Sequence, residues 1–177
     1  MKFKLIVCAN EKNVIGRNGN LLFHIKNDLK NFKRMTTDNV VIMGRKTFES
    51  LPNHKPLSNR INIIITRDSE YSVDESDNVY IVHNIPEALD LCESSFSDKE
   101  LFVIGGSTIY NQFIEKGLIG EAMVTRVNDD SLEDGDVTIE APWNDLNAWK
   151  VYYESDTQCQ KTDGEDITYK FIVYKKK

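Results

Sequence analysis

Short runs of apolar residues recur along this chain at the length of a β-strand, and stretches with helical spacing lie between them. The runs cover residues 3–9, 40–43, 61–66, 79–82, 101–104 and 122–127. Several are apolar throughout instead of alternating, which is the pattern of strands covered on both faces. The intervening stretches 27–35, 86–92 and 107–115 place apolar residues on one stripe: Leu29, Phe32 and Met35 in the first, Ala88, Leu89 and Cys92 in the second, Ile109, Tyr110, Phe113 and Ile114 in the third. Strand and helix in alternation predict an α/β fold, a predominantly parallel twisted sheet flanked by helices. The end of the chain departs from this. Residues 149–154 and 167–174 alternate apolar and polar side chains across a polar connection, 155–166, that contains Asp163 and Gly164, which predicts a C-terminal antiparallel hairpin on one sheet edge.

No repeat, linker or low-complexity stretch divides the 177 residues, so a single domain spanning 1–177 is expected. That length can bury about two-thirds of the unfolded surface without disulfides or metal. A net charge of −6 offers no counterion-release term, which argues against nucleic acid as a partner, and the tail Lys175-Lys176-Lys177 reads as a solvated terminus. Three cysteines without paired spacing and three scattered histidines indicate neither a disulfide framework nor a metal site. The apolar run near the N-terminus is only five residues long, too short for a signal core or a membrane span. A cytoplasmic, membrane-free chain, monomeric, is the expectation.

Three strand ends carry candidate chemistry. Gly105-Gly106-Ser107-Thr108 follows one apolar run and opens a helix, so its backbone would admit a phosphate to free N–H groups and the positive end of the helix dipole; such a turn also serves tight packing alone. Gly44-Arg45-Lys46-Thr47 repeats the design with two cations and a hydroxyl. The run 61–66 ends in Thr66-Arg67, and strands of an open α/β sheet gather ligands at their carboxyl ends. Two such turns in an acidic chain suggest a large polyanionic cofactor, and the absence of a GxGxxG run excludes the dinucleotide-binding fingerprint. Arg60, at the opposite end of the same run, suits a carboxylate. Asp28, one residue past the potential N-cap Asn27, shares a stripe edge with Phe32 and Met35. It either complements the helix dipole or stands in an apolar cleft with a raised pKa, suited to a protonatable heterocycle.

The order of these features resembles the dihydrofolate reductase family over nearly the whole chain. The resemblance rests on Val14-Ile15-Gly16, on Asp28-Leu29 through Phe32-Lys33, and on Val41-Ile42-Met43-Gly44-Arg45-Lys46-Thr47-Phe48-Glu49-Ser50-Leu51-Pro52. It continues through Pro56-Leu57-Ser58-Asn59-Arg60, Ile104-Gly105-Gly106-Ser107-Thr108-Ile109-Tyr110, Thr125-Arg126-Val127 and Gly135-Asp136-Val137. It implies NADPH-dependent reduction of dihydrofolate, hydride passing to pterin C6 with protonation at N5, and sensitivity to antifolate-type molecules. Asp28 would hold the pterin, with Ile6, Val7, Cys8, Leu29, Phe32, Ser50, Leu51, Leu57, Ile104, Tyr110 and Thr125 around the substrate and Arg60 on its glutamate carboxylate. The cofactor would meet Cys8, Ile104 and Ile109 with Gln112, the turns Gly44 to Thr47 and Gly105 to Thr108, and, at its 2′-phosphate, Thr66 and Arg67. Ile15, Gly16, Gly19 and Leu21 would belong to a mobile loop over the nicotinamide. Phe23 stands where the family usually has tryptophan, and Leu22 where it has proline, so an indole donor beside the acid is missing. A related reductase acting on a pyrimidine ring, which would lack the Asp28 and Arg60 pair, and a non-catalytic homologue are the competing readings.

Overall fold

Residues whose side chains are apolar on both sides of the backbone can stack into the middle of a sheet, and the computed structural model, which describes residues 2–74, 76–129, 137–162, 164 and 166–177, places them there. In chain order the elements are β1 (Phe3–Asn10), β2 (Val14–Arg17), β3 (Asn20–Leu21), α1 (Lys26–Thr36), β4 (Val40–Gly44), α2 (Arg45–Glu49), β5 (Ile61–Ile65), β6 (Val79–Val82), α3 (Ile85–Ser95), β7 (Leu101–Gly105), α4 (Ser107–Glu115), β8 (Ile119–Val127), β9 (Val137–Thr138), β10 (Trp149–Glu154), β11 (Gln158–Gln160) and β12 (Ile167–Lys176). The main sheet runs β10-β12-β8-β1-β7-β4-β5-β6, with β11 also on β12. Pairs from β8 to β6 are parallel, whereas β12 lies antiparallel to β8, β10 and β11. Among the described residues no helix is long and apolar enough to cross a membrane.

The two-residue period of a strand divides the central runs between two cores. Leu5, Val7, Val40, Ile42, Ile63, Ile65, Leu101 and Val103 face one side, where α3 and α4 contribute Ala88, Cys92, Ile109 and Phe113. Ile6, Val41, Met43, Ile64 and Phe102 face the other, against Phe48 with Phe32 and Met35 of α1. Each fully buried aliphatic side chain contributes about 1.5–3 kcal/mol relative to exposure, which is why these runs fix the strand faces. Asn62 breaks the isoleucine run yet is fully buried. It accepts the N–H of Leu57 at 2.9 Å and donates to the carbonyls of Leu57 and Arg60, each at 3.0 Å, which satisfies it and clips the 57–60 loop to the sheet.

Two local expectations are revised. Helix α1 begins before Asn27: its N-cap is Ile25, which has no capping side chain. The N–H of Lys26 instead donates to Oε1 of Gln160 on β11, 2.8 Å away. The polar connection 155–166 is partly a strand, since Gln158–Gln160 pairs with β12; of its proposed turn, Asp163 lies outside the described residues, as do Gly135 and Asp136. Residues 14–21 form a paired hairpin, β2 with β3, that joins β9 in a small separate sheet. Asn18 (φ 50°) and Gly19 (φ 79°) make its turn, where left-handed backbone favours asparagine and glycine.

Candidate functional site

The two glycine turns lie side by side because their strands do. Met43 of β4 pairs with Gly105 of β7, so the chain leaves both strands toward α2 and α4 at one sheet edge. A Cβ built at Gly44 would lie 3.1 Å from Cγ1 of Ile109, and one at Gly106 would lie 3.2 Å from Oγ1 of Thr47. Gly105 has φ 127°, and its peptide bond to Gly106 is cis. Neither helix start carries a side-chain cap, which leaves backbone N–H groups of Arg45, Lys46, Ser107 and Thr108 directed out of the turns. Gly44 also pairs with Ile65, so Thr66 and Arg67 follow next to Arg45. Thr66 is buried, its hydroxyl accepting from the N–H of Asp68, while Arg67 and Lys46 are exposed. Arg45 packs over the Tyr71 ring and lies 3.5 Å from Glu49, a half-exposed pair that costs little to rearrange.

Asp28 stands in the first turn of α1, mostly buried, and accepts a short hydrogen bond from the hydroxyl of Thr125 on β8. Burial raises its carboxyl above the usual range, and the Thr125 bond opposes that shift only in part. Cys8, paired with Thr125 across β1 and β8, has its thiol pushed far up by burial and then by Asp28, against Arg126. The hydroxyl of fully buried Tyr110 donates to the carbonyl of Ile6 at 2.7 Å, and its acidity is suppressed by burial first. Ile6, Phe32, Leu51, Leu57 and Ile104 share the apolar cluster on the α1 side of the sheet, and Leu29, next to Asp28 in α1, stays 45% exposed. Ser50 ends α2, with its hydroxyl on the carbonyl of Thr47. Val7 does not join them: alternation along β1 turns its side chain into the opposite core, with Ile109 and Tyr110. Gln112 is half-buried on α4.

Arg60 lies at the other end of α1. It is 7% exposed, with Nε on the carbonyl of Ser58 at 2.9 Å and Nη1 on the hydroxyl of Thr36 at 3.3 Å. Burial lowers its pKa, and among the described residues no carboxylate forms an ion pair with it. Asp28 and Thr36 are eight residues apart, about 12 Å of helix. An acid and a cation are thus separated by an apolar wall.

Phe23 packs beside Cys8 against Ile25, Val127 and Tyr169, and offers no donor to Asp28. Leu21 is half-exposed, and Gly16 fits only because a Cβ there would meet the carbonyl of Asn20 at 3.0 Å. Two residues that position the site escaped the sequence reading: Thr36, which holds Arg60, and Asn62, whose one available signal was a polar residue inside an isoleucine strand. No group of histidines, cysteines and carboxylates among the described residues is arranged to hold a metal.

The family pattern described as dihydrofolate reductase matches residues 2–176. The chain belongs to the dihydrofolate reductase family. It is similar to the dihydrofolate reductase of Bacillus subtilis, 32% identical over 174 residues that cover 97% of this chain and 93% of that protein. It also matches the dihydrofolate reductase of Staphylococcus aureus at 34% over 116 residues, 66% of each. The bifunctional dihydrofolate reductase-thymidylate synthase 2 of Arabidopsis thaliana is 32% identical over 169 residues, and there the chain spans only 29% of its relative's length. Membership of the dihydrofolate reductase family makes the chain an oxidoreductase; the family's reaction is the reduction of dihydrofolate to tetrahydrofolate with a nicotinamide cofactor.

Proposed function

We propose that this chain reduces 7,8-dihydrofolate to 5,6,7,8-tetrahydrofolate with NADPH, and that Asp28 and Arg60 grip the two ends of the substrate. The observation that carries the reading is their placement at opposite ends of α1, a mostly buried carboxylate and a buried guanidinium along one apolar wall. NADPH, when bound, supplies the hydride that goes to pterin C6. Thr125 donates to one carboxylate oxygen of Asp28 and so fixes its orientation, leaving the other for the 2-amino and N3 groups of the pterin. Ligand donors there satisfy a charge that burial otherwise disfavours, and the negative carboxylate promotes protonation of N5 by solvent. Ile6, Cys8, Leu29, Phe32, Ser50, Leu51, Leu57 and Ile104 line the ring and exclude water. Arg60 takes the α-carboxylate of the glutamate tail with its free donors.

The glycine turns suit a pyrophosphate because their helix starts present uncapped backbone N–H groups side by side, packed closely enough that a Cβ would crowd Ile109 at Gly44 and Thr47 at Gly106. Gly44 to Thr47 and Gly105 to Thr108 would hold that group, and Arg45, Thr66 and Arg67 the 2′-phosphate that distinguishes NADPH from NADH. A cytoplasmic monomer acting on small molecules, antifolates included, completes the reading and is consistent with the acidic chain. The test is a spectrophotometric assay of NADPH oxidation. Oxidation that requires dihydrofolate, and that falls heavily in Asp28→Asn, supports the reading. Oxidation dependent on a pyrimidine substrate, or none with any pterin, would overturn it.

A further inference from the structure

We infer that Gln160, on the C-terminal hairpin and far from Asp28 in sequence, is a positioning residue for that carboxylate, an inference that rests on the reading of Asp28 proposed above. Helix α1 has no cap of its own, because Ile25 occupies the N-cap. The carboxamide of Gln160 takes over the task and does more. Its Oε1 accepts the N–H of Lys26 and its Nε2 donates to the carbonyl of His24, each at 2.8 Å, so one side chain clamps the backbone on both sides of Ile25. A second grip lies one residue on: Nδ2 of Asn27 donates to the hydroxyl of Tyr169 at 3.2 Å, and that hydroxyl donates to Oε1 of Gln158 at 3.3 Å. Tyr169 and Ile25, both essentially buried, pack together with Phe23 and Cys8.

All of these bonds fall on residues 24–27, directly ahead of Asp28, and none on the rest of the helix. The body of α1 is held by Phe32 and Met35 packing on the sheet and by the Thr36 contact with Arg60. The first turn is therefore set by the β11–β12 pair together with Thr125 of β8, and the remainder by Phe32, Met35 and Thr36. Releasing the first turn moves the pterin-binding acid while leaving Arg60 and the phosphate turns in place. A Gln160 that only stabilised the fold would affect both ligands alike.

The test compares Gln160→Met, which keeps the length and removes both hydrogen bonds, with Gln160→Glu, which keeps the acceptor for Lys26. Gln160→Met should lower kcat/KM for dihydrofolate about fivefold to tenfold, the scale of a lost helix cap, with KM for NADPH within about twofold of wild type. Gln160→Glu should recover most of that loss. Equal losses for both ligands, or lowered thermal stability with unchanged dihydrofolate kinetics, would reduce Gln160 to a structural role and overturn the inference. Should Gln160→Met fail to fold, Tyr169→Phe removes the hydroxyl on Asn27 alone; it should shift dihydrofolate kinetics in the same direction, and an unchanged kcat/KM counts against the inference. An inactive wild-type protein would instead indict the reading of the site itself.

Discussion

Replacing Gly106 by alanine adds one methyl group at the point where the two glycine turns meet. The backbone there is extended, φ −78° and ψ −165°, so an L-residue adopts it without strain. The cost comes from the new Cβ, which would lie 3.2 Å from Oγ1 of Thr47 and force a shift of a few tenths of an ångström between α2 and α4. Overpacking of that size costs about 1–2 kcal/mol, a fall in Tm of about 2–4 °C per kcal/mol for a chain this long. Cofactor binding should suffer more. On the proposed cofactor role, a methyl on this turn would hinder a phosphate oxygen from reaching the N–H groups, and losing one hydrogen bond to a charged group would weaken affinity about 10- to 100-fold. Titration of the ligand-free protein with NADPH and a thermal melt measure the two effects separately. Adding Thr47→Ala should restore the stability and not the affinity, since the clash disappears while the methyl remains. Gly117→Ala, where φ is 67° and the nearest atom is Nζ of Lys176 at 3.9 Å, costs about 1–2 kcal/mol in backbone strain and should leave NADPH affinity unchanged. If Gly106→Ala bound NADPH as tightly as wild type, the turns would not be the phosphate site.

Other perturbations separate the remaining roles. Asp28→Asn should cost about 1.5–3 kcal/mol in transition-state binding from the charge-assisted hydrogen bonds alone, read as lost kcat/KM for dihydrofolate. Burial holds the Asp28 carboxyl above its ordinary 3.8, so the folded chain keeps a proton that the unfolded chain has released; stability present below that pH declines as pH rises through the folded value, and Tm against pH should lose this slope in the Asn variant. Arg67→Ala should weaken NADPH far more than NADH in a binding titration, and equal losses would make Arg67 a surface charge. Arg60→Lys should raise KM for dihydrofolate and spare pterins without the glutamate tail, which a comparison of both substrates decides. Phe23→Trp with Leu22→Pro should raise kcat/KM by up to about tenfold if an indole donor helps the acid, and a well-seated indole without gain would refute that.

The sheet was legible because its strands must be apolar on both sides, and runs such as Val40 to Met43 meet that need within four residues. The small sheet was not: Asn20 and Leu21 are both exposed, so no burial pattern marks β3. Strand β11 is Gln-Cys-Gln, held by β12 and by what Gln160 does for α1, and neither influence is local. At the site, Asp28, Arg60 and the glycine turns could be singled out from residue type and place, and the family resemblance added Thr125 and Cys8. The side chain of Val7 lies in the opposite core, as alternation from Ile6 requires.

Asn62 changes what the loop carrying Arg60 must do when a ligand arrives. Freely jointed, four residues from 57 to 60 would lose about 1–2 kcal/mol of backbone entropy each on being fixed. Hydrogen bonds from Asn62 to Leu57 and Arg60, with Asn78 donating to the same two carbonyls, have already fixed them. The ordering cost is met once, during folding, so if Arg60 receives a carboxylate as proposed, its loop is preorganised and little would be subtracted from the affinity. An asparagine inside a strand thereby fixes the loop from which Arg60 acts.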